Sequence, residues 1–334
     1  MGLQIGNIVV RKGIEIEGLK GKTLAVDAFN TIYQFLSTIR QPDGTPLMDS
    51  KKRITSHLSG LFYRNINLMK AGLRLVYVFD GKTPRLKAGT HEKRQEVKDE
   101  AFEKYEKAKQ EENIEEMGKY AKQLATLDEE KIEESKKLLE AMGIAVIQAP
   151  GEGEAEASYL ASNKQAYGVA SQDYDSLLFG APILVQNLTL ARKRKTISGY
   201  VNIGPELIEL EKVLNSLQIN LDQLICLGIL CGTDYNPRGI KGIGPKKALL
   251  IVKGKAPALI FKQFPDLDFD WQEVFSLFKK PDVRDAKIEF PKINKEKIKE
   301  ILSEHEFSEE RINSALEKFD EAKEKGKQKT LFTF

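Results

Sequence analysis

The sequence predicts an α/β protein: a mostly parallel central sheet flanked by helices, with a helical insertion and a helical C-terminal region. Two patterns carry that expectation. Four short apolar runs, Leu24 to Asp27 (LAVD), Leu73 to Asp80 (LRLVYVFD), Ala145 to Ala149 (AVIQA) and Tyr167 to Ala170 (YGVA), are separated by stretches of helical spacing. Apolar strands alternating with helices are the signature of a parallel sheet covered on both faces. Beyond Gly204 the spacing of apolar residues is helical.

Each element follows from its local pattern. After the first strand, Phe29, Ile32, Tyr33, Phe35, Leu36 and Ile39 recur at helical intervals. Gln41 to Asp49 (QPDGTPLMD) is turn-rich, and His57 to Met69 is a second amphipathic helix leading into the strand that ends at Asp80. From Pro84 to about Glu134, Lys, Glu and Gln dominate, which predicts a poorly buried, mostly helical insertion between strands. Ile132 to Met142 is amphipathic again and is stopped by Gly143. The third strand leads into a helix over Glu152 to Ser162, and the fourth into Asp173 and Asp175. Ile183 to Gln186 and Thr196 to Val201 read as further strands. Helices are expected over Leu221 to Leu230, from Pro245, and over Pro257 to Phe264, Trp271 to Phe278, Lys295 to Leu302 and Ser308 to Lys325. The tail KGKQKTLFTF then breaks the amphipathic order.

Composition narrows the class. The 334 residues can bury a large core, and 41% hydrophobic with 30% charged residues is ordinary for a soluble globular protein. No apolar run approaches the roughly 20 residues that span a bilayer. The start, MGLQIGNIVV, lacks a basic region and a long apolar region, so no signal peptide is expected. Gly at position 6 breaks the myristoylation pattern that Gly2 would open. Cys226 and Cys231 match no zinc or redox spacing and read as buried free thiols in a reducing compartment. Net charge is only +3, but basic clusters stand at Lys82 to Arg94, Arg192 to Lys195 and Lys241 to Lys247. Local clusters matter more than the sum for nucleic-acid binding.

The chemistry lies in the acids. Each of the four apolar runs is followed by them: Asp27, Asp80, Glu152 with Glu154, and Asp173 with Asp175. Parallel strands end on one edge, and that edge is where open α/β sheets bind ligands. Anions gathered there repel unless cations neutralise them or some take up protons. The chain has three histidines, His57, His91 and His305, none beside an acid cluster in the sequence. Oxygen-only ligands point to Mg²⁺ or Mn²⁺. Two such ions about 3.5–4 Å apart stabilise both the attacking and the leaving oxygen of a phosphodiester, so no protein nucleophile is needed. Favourable contact of Glu152, Glu154 and Glu156 with a helix dipole is the simpler account of that cluster. It leaves Asp27 and Asp80 unexplained. Residues i and i+2 of a regular helix point about 200° apart. Glu152 and Glu154 therefore share an ion only if the segment around Gly151 and Gly153 is not yet helical, or if one acts through water. Glu156 falls on the face of Glu152 and reads as solvated. A second signal is GIKGIGPKKA (Gly239 to Ala248). There Gly242 and Gly244 allow close approach of a phosphate, the helix from Pro245 offers free amides, and Lys246 and Lys247 add charge.

With these residues in view the chain resembles the flap endonuclease family of structure-specific 5′ nucleases, in its archaeal form. The motifs AVDAFNTIYQFL, YVFDGKTPRLK, APGEGEAEASYLA, SQDYDSLLFG and GTDYNPRGIKGIGPKKAL stand in order over nearly the full length. The resemblance implies a PIN-like nuclease core, a helical arch over residues 85–134, and a helix-turn-helix region in residues 236–325 that grips duplex DNA with a potassium ion. The core would occupy residues 1–84 and 135–235. Residues matching the family's metal acids are Asp27, Asp80, Glu152, Glu154, Asp173, Asp175 and Asp234, for two Mg²⁺ ions with Mn²⁺ as a substitute. Lys87 and Arg94, seven residues apart on one helix face, match arch residues that contact the scissile phosphate. Tyr33 matches the aromatic on which a base stacks, Gly2 the N-terminal residue near substrate, and Gly242 and Gly244 the duplex-binding turn. The tail, residues 326–334, resembles a sliding-clamp box through Gln328, Leu331, Phe332 and Phe334, and it stops where a second terminal aromatic is usual. The implied activity is Mg²⁺-dependent cleavage at a 5′ flap in Okazaki fragment maturation and long-patch base excision repair, by a cytoplasmic monomer without membrane contact. A 5′–3′ exonuclease, a gap or bubble nuclease, and a non-catalytic junction or clamp adaptor are the alternatives.

Overall fold

The computed structural model describes residues 3–41, 43–82, 88–111, 113–189, 193–196, 199–202 and 204–331. Among them a seven-stranded sheet forms in the order β1-β9-β6-β5-β2-β3-β4. The strands are β1 (Lys12–Gly13), β2 (Thr23–Asp27), β3 (Arg74–Phe79), β4 (Ala145–Gln148), β5 (Gly168–Ala170), β6 (Ile183–Gln186) and β9 (Glu206–Glu209). The run from β6 to β4 is parallel, while β9 pairs antiparallel with β6 and β1 antiparallel with β9. The expected strands at the sheet centre are therefore present, and the expected parallel direction holds for five of them.

Strand side chains alternate between two apolar layers because the β repeat is two residues. Ala25, Val76, Val78, Val169 and Leu184 face one layer. Leu24, Val26, Leu75, Tyr77, Phe79 and Val185 face the other. The first layer is closed by α6 (Gly153–Ser162), α8 (Leu210–Leu217) and α9 (Leu221–Cys231), with α10 (Pro245–Val252), α11 (Pro257–Phe261) and α12 (Trp271–Lys279) beyond. The second is closed by α1 (Ala28–Thr38), α2 (Ser56–Lys70), α5 (Glu129–Ala141), α13 (Lys295–Glu304) and α14 (Glu309–Leu331). A short helix α7 (Asp175–Leu178) follows β5. Burying one Leu or Val of these layers is worth about 1.5–3 kcal/mol, so the continuous apolar strands are the main local drive for the sheet.

Several expectations are corrected. Thr196 to Val201 is not one strand of the sheet: it falls across a separate antiparallel pair, β7 (Lys193–Thr196) and β8 (Gly199–Asn202), in which Thr196 pairs with Gly199. Residues 206–209 are not helical. They form β9, because Ile208 packs into the core while the backbone pairs with β6. The insertion is helical, as α3 (Ala88–Gln110) and α4 (Ile114–Ala121), but it is partly packed. Ala101, Ala108 and Ala121 are buried, so small residues make the contacts that large ones were expected to supply. A cavity of about 180 Å³ lies where Tyr105 and Leu124 meet Leu36 and Arg40. Helix α14 runs to Leu331, past the expected end at Lys325, because the Lys-rich tail has no helix breaker before Leu331 except Gly326. Among the described residues no single helix is long and apolar enough to cross a membrane.

Two of the three histidines do meet an acid, across a long sequence separation. His57 on α2 and His305 after α13 each place Nε2 3.1 Å from one oxygen of Glu134 on α5. Both rings are buried. Burial holds the His57 pKa below its ordinary value, opposed by its hydrogen bond to Glu134. For Glu134, burial alone would raise the pKa, but the His57 bond and the charges of His305, His57 and Arg53 leave it lowered. The unfolded chain therefore binds more protons than the folded one below the unfolded His value of about 6.5, and again through the range where Glu134 titrates. Stability should thus fall as pH drops from about 7 to about 5. His57→Gln should flatten that slope in a denaturant-unfolding series, whatever it does to stability at neutral pH. An unchanged slope would refute this assignment.

Candidate active site

The four neighbouring parallel strands β5, β2, β3 and β4 end on one edge, and each delivers acids there. Asp27 closes β2 and caps α1, its Oδ1 accepting the Asn30 N–H at 3.0 Å. It is 7% exposed. Asp80 follows β3, and its Oδ1 accepts the Gly153 N–H at 2.7 Å. The turns after β3 and β4 interlock. The Gly81 N–H donates to Gly151 O at 2.7 Å and the Lys82 N–H to Pro150 O at 3.1 Å. This approach needs glycine: a Cβ on Gly81 would stand 2.1 Å from Ala149 O, and one on Gly153 2.8 Å from Asp80 Oδ1.

The helical-spacing difficulty is resolved by the backbone. Glu152 has φ −80° and ψ 135°, so it is extended and only Gly153 begins α6. Glu152 and Glu154 are therefore freed from the angle that a regular helix would impose. The Glu154 Oε1 accepts the Ser176 N–H at 2.9 Å and the Ser176 hydroxyl. Burial pushes the Glu154 carboxyl well above the ordinary carboxylate range, and Asp175, Asp27 and Asp173 add to the push. These acids come from the ends of β2, β4 and β5. Asp173 Oδ2 accepts from Asn30 Nδ2 at 2.8 Å. Asp175 Oδ1 accepts the Leu3 N–H at 3.3 Å, which brings the N-terminal segment against the acid cluster.

Asp234 comes from the loop after α9. Asn236 shapes that loop: its Oδ1 accepts from the Thr233 hydroxyl and its Nδ2 donates to Ile229 O, both at 2.7 Å. The next residue, Tyr235, is buried with its hydroxyl hydrogen-bonded to Glu152. Burial, then Glu152, Asp175 and Glu154, raise its pKa. Tyr235, Asn30 and Ser176 were missed in the sequence, although each lies within three residues of a predicted acid. Among the described residues no three His, Cys, Asp or Glu already stand as a ligand set for an ion, and Asp80, Asp173 and Glu154 each accept a hydrogen bond.

Glu156 corrects a sequence expectation. It is 0% exposed rather than solvated. Its Oε2 accepts the Arg284 N–H at 2.9 Å. Burial raises its carboxyl, against the opposing effect of Arg284.

The remaining candidates are dispersed. Tyr33 lies on α1, one turn beyond Asn30, and is 39% exposed. Gly242 has φ 77°, Gly244 precedes Pro245 at the start of α10, and Lys246 and Lys247 are exposed beside them. An added Cβ on either glycine meets nothing within 4 Å, so the turn is open to a bulky ligand. Gly2, Lys87, Phe332 and Phe334 lie outside the described residues. The backbone of Arg94 lies in α3 and those of Gln328 and Leu331 in α14, with their side chains outside the description.

Residues 3–101 match the XPG N-terminal domain and residues 143–234 the XPG I-region.

 Each stretch supplies two of the four acid-bearing strands. β2 and β3, with Asp27 and Asp80, fall in the first stretch, and β4 and β5, with Glu152, Glu154, Asp173 and Asp175, fall in the second, as does Asp234. The chain is 54% identical to flap endonuclease 1 of Pyrococcus abyssi over 99% of its own length and 97% of that protein. The solved structure of flap endonuclease-1 from Methanococcus jannaschii superposes with a TM-score of 0.76 at 40% identity, covering 96% of this chain and 98% of that one. The catalytic core of Rad2, solved in complex with a DNA substrate, shares the fold with a TM-score of 0.67 at 23% identity, over 92% and 96% of the two chains. The chain belongs to the flap endonuclease family.

Proposed function

We propose that this edge of the sheet cleaves a DNA phosphodiester at the junction of a 5′ flap and a duplex, in Okazaki fragment maturation and long-patch base excision repair. The observation that carries the reading is the convergence of Asp27, Asp173 and Asp175 on Glu154 from separate strand ends, in a chain of this family. The donor set fits a hard divalent cation, since it is all oxygen, and loss of hydration together with the charges of Asp175, Asp27 and Asp173 raises the Glu154 pKa. Asp27, Asp80, Glu152, Glu154, Asp173, Asp175 and Asp234 would hold two Mg²⁺ ions, with Mn²⁺ as a substitute. When bound, the ions supply positive charge to the attacking and leaving oxygens of the phosphodiester.

The chain's own residues do the positioning. Asn30 fixes Asp173, Ser176 fixes Glu154 and the Tyr235 hydroxyl fixes Glu152. Each bond removes rotamer freedom from an acid before substrate arrives. Gly242, Gly244, Lys246 and Lys247 form an open basic turn suited to a duplex backbone, where a K⁺ ion would also sit. The exposed ring of Tyr33 offers a surface for a base beside the cut. Lys87 and Arg94 of the insertion would meet the scissile phosphate. Domain limits follow the same reading: residues 1–84 and 135–235 form the core, 85–134 the arch, 236–325 the duplex grip and 326–334 the clamp tail. The protein would act as a cytoplasmic monomer.

The test uses purified protein with a labelled 5′-flap DNA, a blunt duplex and a bubble, with and without Mg²⁺. Flap-selective, Mg²⁺-dependent cutting is expected. Asp175→Asn should lower single-turnover cutting by at least about 10²-fold while flap affinity stays largely intact. Equal cutting of blunt duplex or bubble would favour the exonuclease or bubble-nuclease reading, and binding without cutting the adaptor.

For the tail, deleting residues 328–334 should leave basal cutting unchanged and abolish stimulation by a sliding clamp recognised through Gln328, Leu331, Phe332 and Phe334. Stimulation that survives the deletion would remove the tail from this role.

A further inference from the structure

Between α12 and α13 the chain runs from 280 to 294 without regular structure. Connections of that length inside a compact fold usually have a function. This one is a strap fastened at several points. A Cβ on Gly151 would stand 3.1 Å from Asp282 O, so the strap lies directly on the turn that carries the acids. The Arg284 guanidinium donates to Gln148 O at 2.7 Å, and the Arg284 N–H to Glu156 Oε2 at 2.9 Å. Further along, Gln165 Nε2 donates to Asp285 Oδ1 at 2.7 Å, and the Asn294 N–H to Ala141 O at 2.8 Å.

Glu156 stands out in this arrangement. It is fully buried and two residues past Glu154, yet the proposed chemistry does not use it. Asp282 and Asp285 on the strap repel its charge, and its Oε1 has no hydrogen-bond partner among the described residues. A buried carboxylate so placed is costly unless its remaining bond holds something in place.

We propose that Glu156 is a positioning residue: by accepting the Arg284 N–H it pins the strap across Gly151 and so holds the turn that presents Glu152 and Glu154. This rests on the nuclease reading above. The same strap leaves α12, which packs with α10 on α9. It therefore also joins the unit bearing Gly242 and Gly244 to the acid-bearing turn.

The test compares wild type, Glu156→Ala and Glu156→Gln by hydrogen exchange of the Arg284 amide, by flap-DNA Kd and by single-turnover cutting. Glu156→Ala should lose protection at Arg284 and cut about 10–100-fold more slowly, the range seen when residues supporting metal ligands are removed. Its Kd should stay within about 3-fold, because the defect lies in the chemical step. Glu156→Gln keeps an acceptor oxygen and should retain protection and recover most of the rate. Wild-type cutting by an unprotected Glu156→Ala would overturn the proposal, as would Glu156→Gln as slow as Glu156→Ala, or slow cutting with Arg284 still protected. If Glu156→Ala does not fold, Arg284→Pro removes the N–H that Glu156 accepts without touching α6 and should slow cutting; a wild-type rate would then overturn the proposal. A wild type that fails to cut flaps with Mg²⁺ sinks the nuclease reading instead, and the exchange data still decide whether Glu156 pins the strap.

Discussion

Mutual repulsion among carboxylates at one sheet edge is the constraint on which this structure depends. Glu154 is half-buried beside Asp175, Asp27 and Asp173, and loss of hydration, then the charges of those three acids, drives its pKa up. Such an arrangement works against folding, because unfolding would separate the charges. The sheet tolerates it because apolar strands on both faces supply the opposing free energy, with Leu24, Val26, Val76 and Val78 almost wholly buried. Under the proposed function, a bound cation would offset that cost.

Geometry turns that repulsion into a site. Strands β5, β2, β3 and β4 are consecutive neighbours and all parallel, so their carboxyl ends cannot diverge. The interlocked turns after β3 and β4 fix Asp80 against Gly153, and they exist only because Gly81 and Gly153 lack a Cβ. The extended backbone at Glu152 then lets two acids two residues apart serve one region. The hydroxyls and amides of Ser176, Tyr235 and Asn30 hold the acids without adding charge.

Most of this was legible in the sequence, for identifiable reasons. The central strands are continuous apolar runs, each ending in acids, and parallel pairing makes their convergence a matter of topology. What was not legible depends on contacts made far along the chain. Helical spacing put Glu156 on a solvated face, but Arg284, 128 residues later, covers it. His57 and Glu134 lie 77 residues apart and meet only through the packing of α2 on α5. Strand β9 was hidden because ELIE runs directly into the helical pattern of LEKVLNSL. The insertion read as unpacked because its buried residues are alanines, which carry little signal in a Lys- and Glu-rich segment.

Thermal unfolding of wild type and Glu154→Gln, each in chelator and in Mg²⁺, tests the central claim most directly. The glutamine oxygen can still accept from Ser176, so the substitution removes charge and little else. If the clustered carboxylates repel until a cation joins them, Glu154→Gln will melt higher than wild type in chelator, and Mg²⁺ will raise the wild-type midpoint more than the variant's. A variant that melts lower in chelator, with wild type indifferent to Mg²⁺, would contradict the account.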